Sequence, residues 1–187
     1  MNSNSISRRV WIEAGYLSST AEAPHQLKVE ALARSLKRNK SAFYYLFDSP
    51  EGFVEELLHE HRRRVALLLE AESHCTTFDP ELVAVLLTHA DTLLFHRQLL
   101  IHQQQPAYRQ LLQESEAQLS ADFLRLWSRE LGLEASRLQA MQWYQLASAG
   151  FFMALSRENL QRSWLLEQLG QVKQLARQQL ALNGGVQ

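Results

Sequence analysis

The sequence predicts an all-α protein of about nine helices, three in an N-terminal head and six in a C-terminal bundle. Only four prolines and seven glycines interrupt the 187 residues. Long stretches of Leu, Ala, Gln, Glu and Arg favour helices, because these side chains lose little conformational freedom in a helix. Alternating runs of β-branched residues, which are typical of half-buried strands, are missing from the sequence.

The head begins after a polar tail, with a helix predicted from Ser7 to about Ser18. Two short apolar stripes follow at helical spacing, and a basic turn over residues 37–41 separates them. Asn39 or Ser41 can cap the second of these helices. The stripes consist of Val29, Leu32, Ala33 and Leu36, and of Phe43, Leu46 and Phe47. This spacing is typical of a helix-turn-helix.

Charge is concentrated in the same stretch. Five basic residues and one acid, Glu30, lie between Lys28 and Lys40, a local net charge of +4 in a chain of net charge −1. A basic patch on a nearly neutral chain favours contact with phosphates over general adhesion to polyanions. A solvated helical hairpin with ordinary surface lysines is the alternative.

The bundle follows from residue 51, so the predicted domains are 1–50 and 51–187. Proline, glycine and short polar runs divide it into helices. The helix at about 80–103 is apolar on most sides, which predicts a central position in the bundle. The other helices are predicted at 50–72, from 106, up to 132, at 134–157 and at 163–182.

Short motifs recur at fixed spacing between residues 8 and 58: Glu13-Ala14, Leu32-Ala33, Phe43-Tyr44-x-x-Phe47, and Glu51 with Phe53. At these positions the chain resembles the N-terminal DNA-binding domain of TetR-type transcriptional regulators. The resemblance implies a sequence-specific regulator, a repressor, that binds double-stranded DNA. It also implies that Tyr44 touches a phosphate while Phe47 anchors the reading helix in the core. The candidate DNA-binding residues are Lys28, Lys37, Arg38, Asn39, Lys40, Ser41, Ala42, Tyr44 and Tyr45.

The sequence departs from the family pattern at three informative positions. Lys37 replaces a turn glycine, Leu27 replaces a capping threonine, and Pro50 replaces a phosphate-binding lysine. Two expected phosphate contacts are therefore lost, and neighbouring basic residues would have to replace them. A TetR-like protein with weakened or lost DNA binding, acting through protein contacts, is the alternative function.

The last two predicted helices suggest a partner surface. Small residues on one helix allow close approach of another helix, and the final helix carries an apolar stripe. The resemblance implies that this pair forms a homodimer; packing inside the bundle is the alternative. The candidate interface residues are Ala147, Gly150, Leu165, Leu169, Val172 and Ala176.

Large aromatic residues and histidines are frequent in the bundle. Small-molecule sites are mostly apolar with a few polar groups, so these residues are candidates for a pocket that binds a small apolar or aromatic ligand. An ordinary aromatic core, in a regulator without a small ligand, is the alternative. The candidate pocket residues are His89, His96, Tyr108, Trp127, Trp143 and Phe151.

The sequence gives little support to catalysis or metal binding. It contains no glycine-rich phosphate loop and no Gly-x-Ser-x-Gly motif, and its single Glu-x-x-His, at Glu56 and His59, lacks the second copy that a di-iron bundle needs. We therefore predict no catalytic residue, metal or cofactor, and a helical enzyme is the least favoured alternative. The sequence has no apolar run long enough for a membrane span, and its single cysteine, Cys75, suits the cytoplasm.

Overall fold

The computed structural model describes residues 3–132 and 137–184, and over these ranges it contains ten α-helices and no strand. The predicted all-α class is confirmed. A 3₁₀ turn at Pro24–Gln26 and a π-type turn at Phe78–Leu82 lie between helices. The helices are α1 Ser3–Ser18, α2 Val29–Ser35, α3 Lys40–Phe47, α4 Pro50–Ser73, α5 Val83–Thr88, α6 Ala90–Ile101, α7 Pro106–Ala117, α8 Ala121–Leu131, α9 Arg137–Ala154 and α10 Arg162–Gly184.

The region predicted as one helix, 80–103, is divided at His89. This residue ends α5 with φ −98° and ψ 25°, outside the helical region, and α6 begins directly after it. No proline or glycine lies at the break. In the last turn of α5, the hydroxyl of Thr88 donates a hydrogen bond to the carbonyl of Ala84. The apolar periodicity of the sequence continues across His89, so it did not indicate this break.

The chain folds into two compact units. The first unit comprises Met1–Ala66 and Asp91–Glu116, and the second comprises Leu67–Ala90 and Ala117–Gln187. This division differs from the predicted one at residue 50, because α6 and α7 pack with the head helices and α4 contributes residues to both units.

The core of the first unit contains a hydrogen-bonded stack of rings from α1, α4 and α6. Tyr16 stacks on Phe95 with ring centroids 4.4 Å apart, and Phe95 stacks on His61 at 4.5 Å. The Tyr16 hydroxyl lies 2.8 Å from His61 Nδ1, and His61 Nε2 lies 3.3 Å from His96 Nδ1. Burial lowers the pKa of both histidines, that of His96 to about 4, so both rings are neutral at neutral pH.

The core of the second unit is rich in aromatic side chains from α8, α9 and α10. Phe123 and Trp127 both meet the ring of Tyr144 edge-on, with centroids 5.5 and 6.3 Å away. Phe151 packs on Trp164 at 5.3 Å. Two ion pairs, Arg162–Asp79 and Lys173–Glu130, also lie in this unit.

Candidate DNA-binding surface

The short helix α3 is held in place by its aromatic face. Phe43 is fully buried, and its ring lies 5.5 Å from Trp11, 5.1 Å from Phe47 and 5.1 Å from Phe53, measured between centroids. A helix of eight residues is unstable alone, so this packing is what fixes its position. The burial of Phe47 is the arrangement that the family resemblance implies.

Local hydrogen bonds define both ends of the turn before α3. The Asn39 side chain accepts a hydrogen bond from the Ala42 backbone N–H at 2.9 Å, which caps the first turn of α3. At the end of α2, the Arg38 N–H donates to the Ala33 carbonyl and the Lys37 N–H donates to the Arg34 carbonyl. This pair of bonds is a Schellman motif, whose left-handed position is normally occupied by glycine.

Lys37 occupies that left-handed position, with φ 53°. Lys37 therefore adopts a backbone conformation that favours glycine, and it strains the turn, since a β-carbon is disfavoured at positive φ.

The free energy of unfolding of a Lys37→Gly variant is expected to be about 1 kcal/mol higher than that of the wild type, because the substitution removes this strain. Urea denaturation measures the difference. Lys37→Ala is the matched control: it removes the same charge but keeps a β-carbon, so it should give no comparable gain. Equal stabilities of the two variants would contradict a strained turn.

The C-terminal end of α3 is held by Arg8 from α1. Its guanidinium donates to the Leu46 carbonyl and to Glu56, and lies 4.7 Å from the centroid of the Phe47 ring. Arg8 thereby fastens α1 to α3 and α4.

The candidate DNA-binding residues lie at the start of α2, in the turn after it and on α3. Ala42 is half-buried and the others are exposed, Tyr45 most of all the tyrosines, at 77%. These features make a surface, hereafter the α3 surface, of cations, hydroxyls and an ordered helix end.

One acid modifies the charge of the α3 surface. The carboxylate of Glu30, on α2, forms an ion pair with the Lys40 ammonium, which lies 5.9 Å from the centroid of the Tyr44 ring. The hydrogen bond from Lys40 lowers the pKa of Glu30 below its ordinary value, and the pKa of Lys40 is raised in return. The sequence shows Glu30 as the lone acid among the basic residues, but it does not indicate the pairing with Lys40.

The candidate ligand residues are divided between the two units. His96 belongs to the ring stack of the first unit, and the hydroxyl of Tyr108 accepts a hydrogen bond from the His25 N–H at 3.1 Å there. Trp127, Trp143 and Phe151 join the core of the second unit. His89 ends α5 in the second unit, where burial lowers its pKa.

A crevice of about 80 Å³ opens in the first unit, between the start of α4 and the helices α2 and α3. None of the candidate ligand residues lines it, and its volume is well below the ~300 Å³ at which drug-sized ligand sites begin. It is lined by Pro24, His25, Leu27, Val29, Leu32, Phe43, Pro50, Glu51, Phe53 and Val54.

The candidate dimer residues have mixed positions within the second unit. Leu165, Leu169 and Ala176 are buried in its own core, as in the alternative of packing inside the bundle, while Ala147 and Val172 are half-buried. Gly150 is exposed. The large apolar residues exposed on these two helices are different ones: Leu138, Leu146, Met153 and Leu175.

Neither a metal centre nor a membrane span emerges from the residues described. Within 3–132 and 137–184, no three His, Cys, Asp or Glu side chains come together as possible metal ligands. Over the same ranges, no helix combines the length and apolar character needed to cross a bilayer.

The fold is similar to that of a solved transcriptional regulator. The crystal structure of a transcriptional regulator of the TetR/AcrR family from Aquifex aeolicus VF5 superposes with a TM-score of 0.55, at 14% sequence identity, over 94% of this chain and 98% of that chain. No family model matches the sequence, and no curated protein matches it either. At this identity the similarity establishes the fold, and the function has to be argued from the surface.

Proposed function

We propose that the chain is a sequence-specific, DNA-binding transcriptional regulator whose helix α3 enters the major groove. The observation that carries the proposal is the two-sided character of α3. Its buried face fixes the helix against Trp11 and Phe53, while its other face exposes Lys40, Tyr44 and Tyr45. A rigidly anchored helix with an exposed polar face can read base edges without rearrangement.

The exposed residues divide into two groups by chemistry. Lys28, Lys37, Arg38 and Lys40 carry charge and would hold phosphates, with the N-terminus of α3. Ser41, Ala42 and Tyr45 are uncharged and would meet base edges or the thymine methyl group. Tyr44 would donate its hydroxyl to a phosphate.

Selection from random duplexes tests this proposal directly. We expect an enriched motif, and affinity for it that falls as salt rises from about 50 to 200 mM. The double variant Lys40→Ala, Tyr44→Ala should lose at least about tenfold in affinity. The slope of log affinity against log salt concentration should fall by about 1, the contribution of one phosphate contact. Arg125→Ala, an exposed arginine of α8, is the matched control and should bind normally. Unchanged binding by the double variant would refute the proposed surface.

A Glu30→Gln variant is expected to bind DNA several-fold more tightly at low salt. The substitution removes a negative charge from the α3 surface and releases Lys40 from its ion pair. Fluorescence anisotropy of a labelled duplex across a salt series measures the gain, which should shrink as salt screens the charges. Glu22→Gln, at an exposed acid outside the α3 surface, should leave affinity unchanged. Weaker binding by Glu30→Gln would instead indicate that Glu30 makes a favourable contact with DNA.

The regulator would act as a homodimer. Leu138, Leu146 and Met153 are exposed on α9 at a spacing that places them on one side of the helix, and each is more than 60% exposed. With the exposed Leu175 of α10, they would form an apolar face that packs against the same face of a second copy in a two-fold dimer. Two copies would present two α3 helices to half-sites about 34 Å apart.

Sedimentation velocity tests the dimer. The double variant Leu146→Glu, Met153→Glu should shift the protein towards monomer and weaken binding to a palindromic duplex, because buried like charges oppose association. Leu67→Glu, at an exposed leucine of α4, is the control and should remain dimeric. A dimer unaffected by the double variant would place the interface elsewhere.

Repression, a cytoplasmic location and control by a small apolar ligand complete the proposal. A ligand bound in the bundle would favour one of two states of the dimer that differ in affinity for DNA. The exposure of the basic residues favours a DNA-binding regulator over the alternative, a protein that has lost DNA binding. If the wild type failed to retain any duplex at low salt, the alternative that acts through protein contacts would replace it.

A further inference from the structure

The turn that precedes α2 is fastened by Tyr108 of α7. The backbone N–H of His25, in the turn Pro24–Gln26, donates to the Tyr108 hydroxyl at 3.1 Å, and the same hydroxyl lies 3.0 Å from Nδ1 of the His25 ring. His102, directly after α6, meets the His25 ring edge-on with centroids 5.2 Å apart. All three residues belong to the first unit, and we call them the His25 cluster.

The hydrogen bonds of the His25 cluster favour a neutral His25 ring. A hydroxyl carries one proton and can accept as well as donate. Because the Tyr108 hydroxyl accepts from the His25 backbone N–H, every group is paired when the hydroxyl donates its own proton to an unprotonated Nδ1. Tyr108 is 2% exposed and burial raises its pKa, so this proton stays on the hydroxyl. A protonated His25 would turn a second donor towards the hydroxyl and take away the acceptor of its proton.

The charged neighbours of His25 give its protonated form little support. Partial burial of the ring, and then the nearby His102, lower the pKa of His25 below its ordinary value of 6.5. On α4, Glu51 lines the same crevice as His25, but no ion pair joins them among the described residues. On α7, the Arg109 guanidinium donates to the Gln103 carbonyl. Protons on both histidine rings would place two like charges side by side.

The position of the turn matters because α2 begins directly after it. Lys28, a candidate phosphate contact, is the N-cap residue of α2, and no side chain caps this end of the helix. The start of α2 therefore depends on the preceding segment for its position. A second tie holds that segment, since the Gln98 side chain of α6 donates to the Ala21 carbonyl at 3.1 Å.

We propose that His25 and Tyr108 form a proton-sensitive link that positions the start of α2 for DNA, so that acid weakens DNA binding. Tyr108 acts here as a positioning residue. The linked state holds His25 neutral and is therefore favoured above about pH 6.5. As the pH falls below this value, the released state takes up a proton first and gains population. This inference rests on the proposed function, because it assigns a regulation to the same DNA-binding surface.

Fluorescence anisotropy with a selected duplex at pH 8 and pH 5.5, at constant ionic strength, tests the link. We expect the wild type to lose about tenfold in affinity at pH 5.5, since linkage to one proton changes an equilibrium constant by at most about tenfold per pH unit. Circular dichroism shows whether the protein remains folded at both values. Protonation of other histidines adds positive charge and strengthens DNA binding, so a loss cannot come from net charge.

Two histidine variants assign the effect. His25→Asn keeps an acceptor oxygen in place of Nδ1 but does not titrate, so its affinity should be the same at both pH values. His59→Asn, at an exposed histidine of α4, is the matched control and should lose affinity in acid as the wild type does.

Tyr108→Phe separates positioning from a merely structural role. The variant should bind more weakly than the wild type at pH 8 and lose the response to acid. NMR titration without DNA should show a higher pKa for His25 in this variant, because the hydrogen bond to its neutral form is gone. A merely structural Tyr108 would weaken binding equally at both pH values and leave the pKa of His25 in place.

Failure of this inference is separable from failure of the proposed function. A folded wild type that keeps or gains affinity at pH 5.5, or a His25→Asn variant that still responds to acid, would refute the proton-sensitive link alone. A protein that selects no duplex at any pH would refute the proposed function, whatever the NMR titration of His25 shows.

Discussion

A Gly15→Ala variant is expected to lose about 2 kcal/mol of unfolding free energy, the net of overpacking and a gain in helix propensity. A β-carbon at Gly15 would clash with Cζ of the Phe53 ring and would lie 2.8 Å from its Cε1 and 3.3 Å from Leu57 Cδ2. Phe53 cannot swing aside easily, because its ring packs on Phe43 and on Phe47 at 5.1 and 4.7 Å. The substitution would therefore also disturb the packing that holds α3 in place and weaken DNA binding.

Urea denaturation and duplex binding measure the two effects together. Gly170→Ala, on α10, is the matched control, since a β-carbon there meets nothing within 4 Å and should stabilise the helix by up to about 1 kcal/mol. Phe53→Leu in the Gly15→Ala background should recover part of the loss, because a smaller side chain relieves the clash. A Gly15→Ala protein as stable as wild type would show that α1 does not depend on this close approach to α4.

At pH 8, the free energy of unfolding of the Glu72→Gln variant is expected to exceed that of the wild type by about 3 kcal/mol. Each unit of pKa shift corresponds to ~1.4 kcal/mol, and relaxation of the protein around the charged carboxylate reduces the total. The folded pKa of Glu72, about 8, lies above its ordinary value of 4.5. The folded state therefore holds a proton that the unfolded state releases between these two values. Stability from this group is fully present below pH 4.5 and is lost as pH rises through 8.

Urea denaturation of both proteins at several pH values between 4 and 8 checks this expectation. The difference between them should grow as pH rises from 4.5 to 8, by about 1 kcal/mol for each pH unit, and reach about 3 kcal/mol at pH 8. Gln does not titrate, so the slope belongs to the Glu72 carboxyl alone, and a Glu167→Gln control should run parallel to the wild type. A difference that stays constant with pH would mean that the carboxyl is solvated rather than buried.

The head was predictable from the sequence because its determinants are local. Helical spacing predicted α2 and α3, and the position of Asn39 predicted the cap of α3. The family's turn glycine corresponds to Lys37, the residue with the left-handed backbone. Each of these depends on residues within one or two turns of each other. The exposure of the candidate DNA-binding residues followed, since they occupy the turn and the side of α3 opposite the apolar stripe.

Long-range partners were not predictable. Lys40 was assigned to DNA, and nothing in its neighbourhood along the chain indicated the ion pair with Glu30 on another helix. Arg8 similarly finds its partners, Leu46 and Glu56, more than thirty-five residues away. The apolar stripe of α10 was visible, but whether Leu165 and Leu169 face a second copy or the chain's own core depends on what α8 and α9 cover.

The sequence by itself determined that the protein is helical, where the head lies and which short helix carries its exposed polar face. Helix formation and capping are set by neighbours along the chain, so periodicity and residue type suffice. Only the tertiary structure decided which charges are paired, that α6 packs with the head, and that Glu72 is buried. Burial and pairing are properties of contacts between distant segments, and the energy of a side chain depends on them.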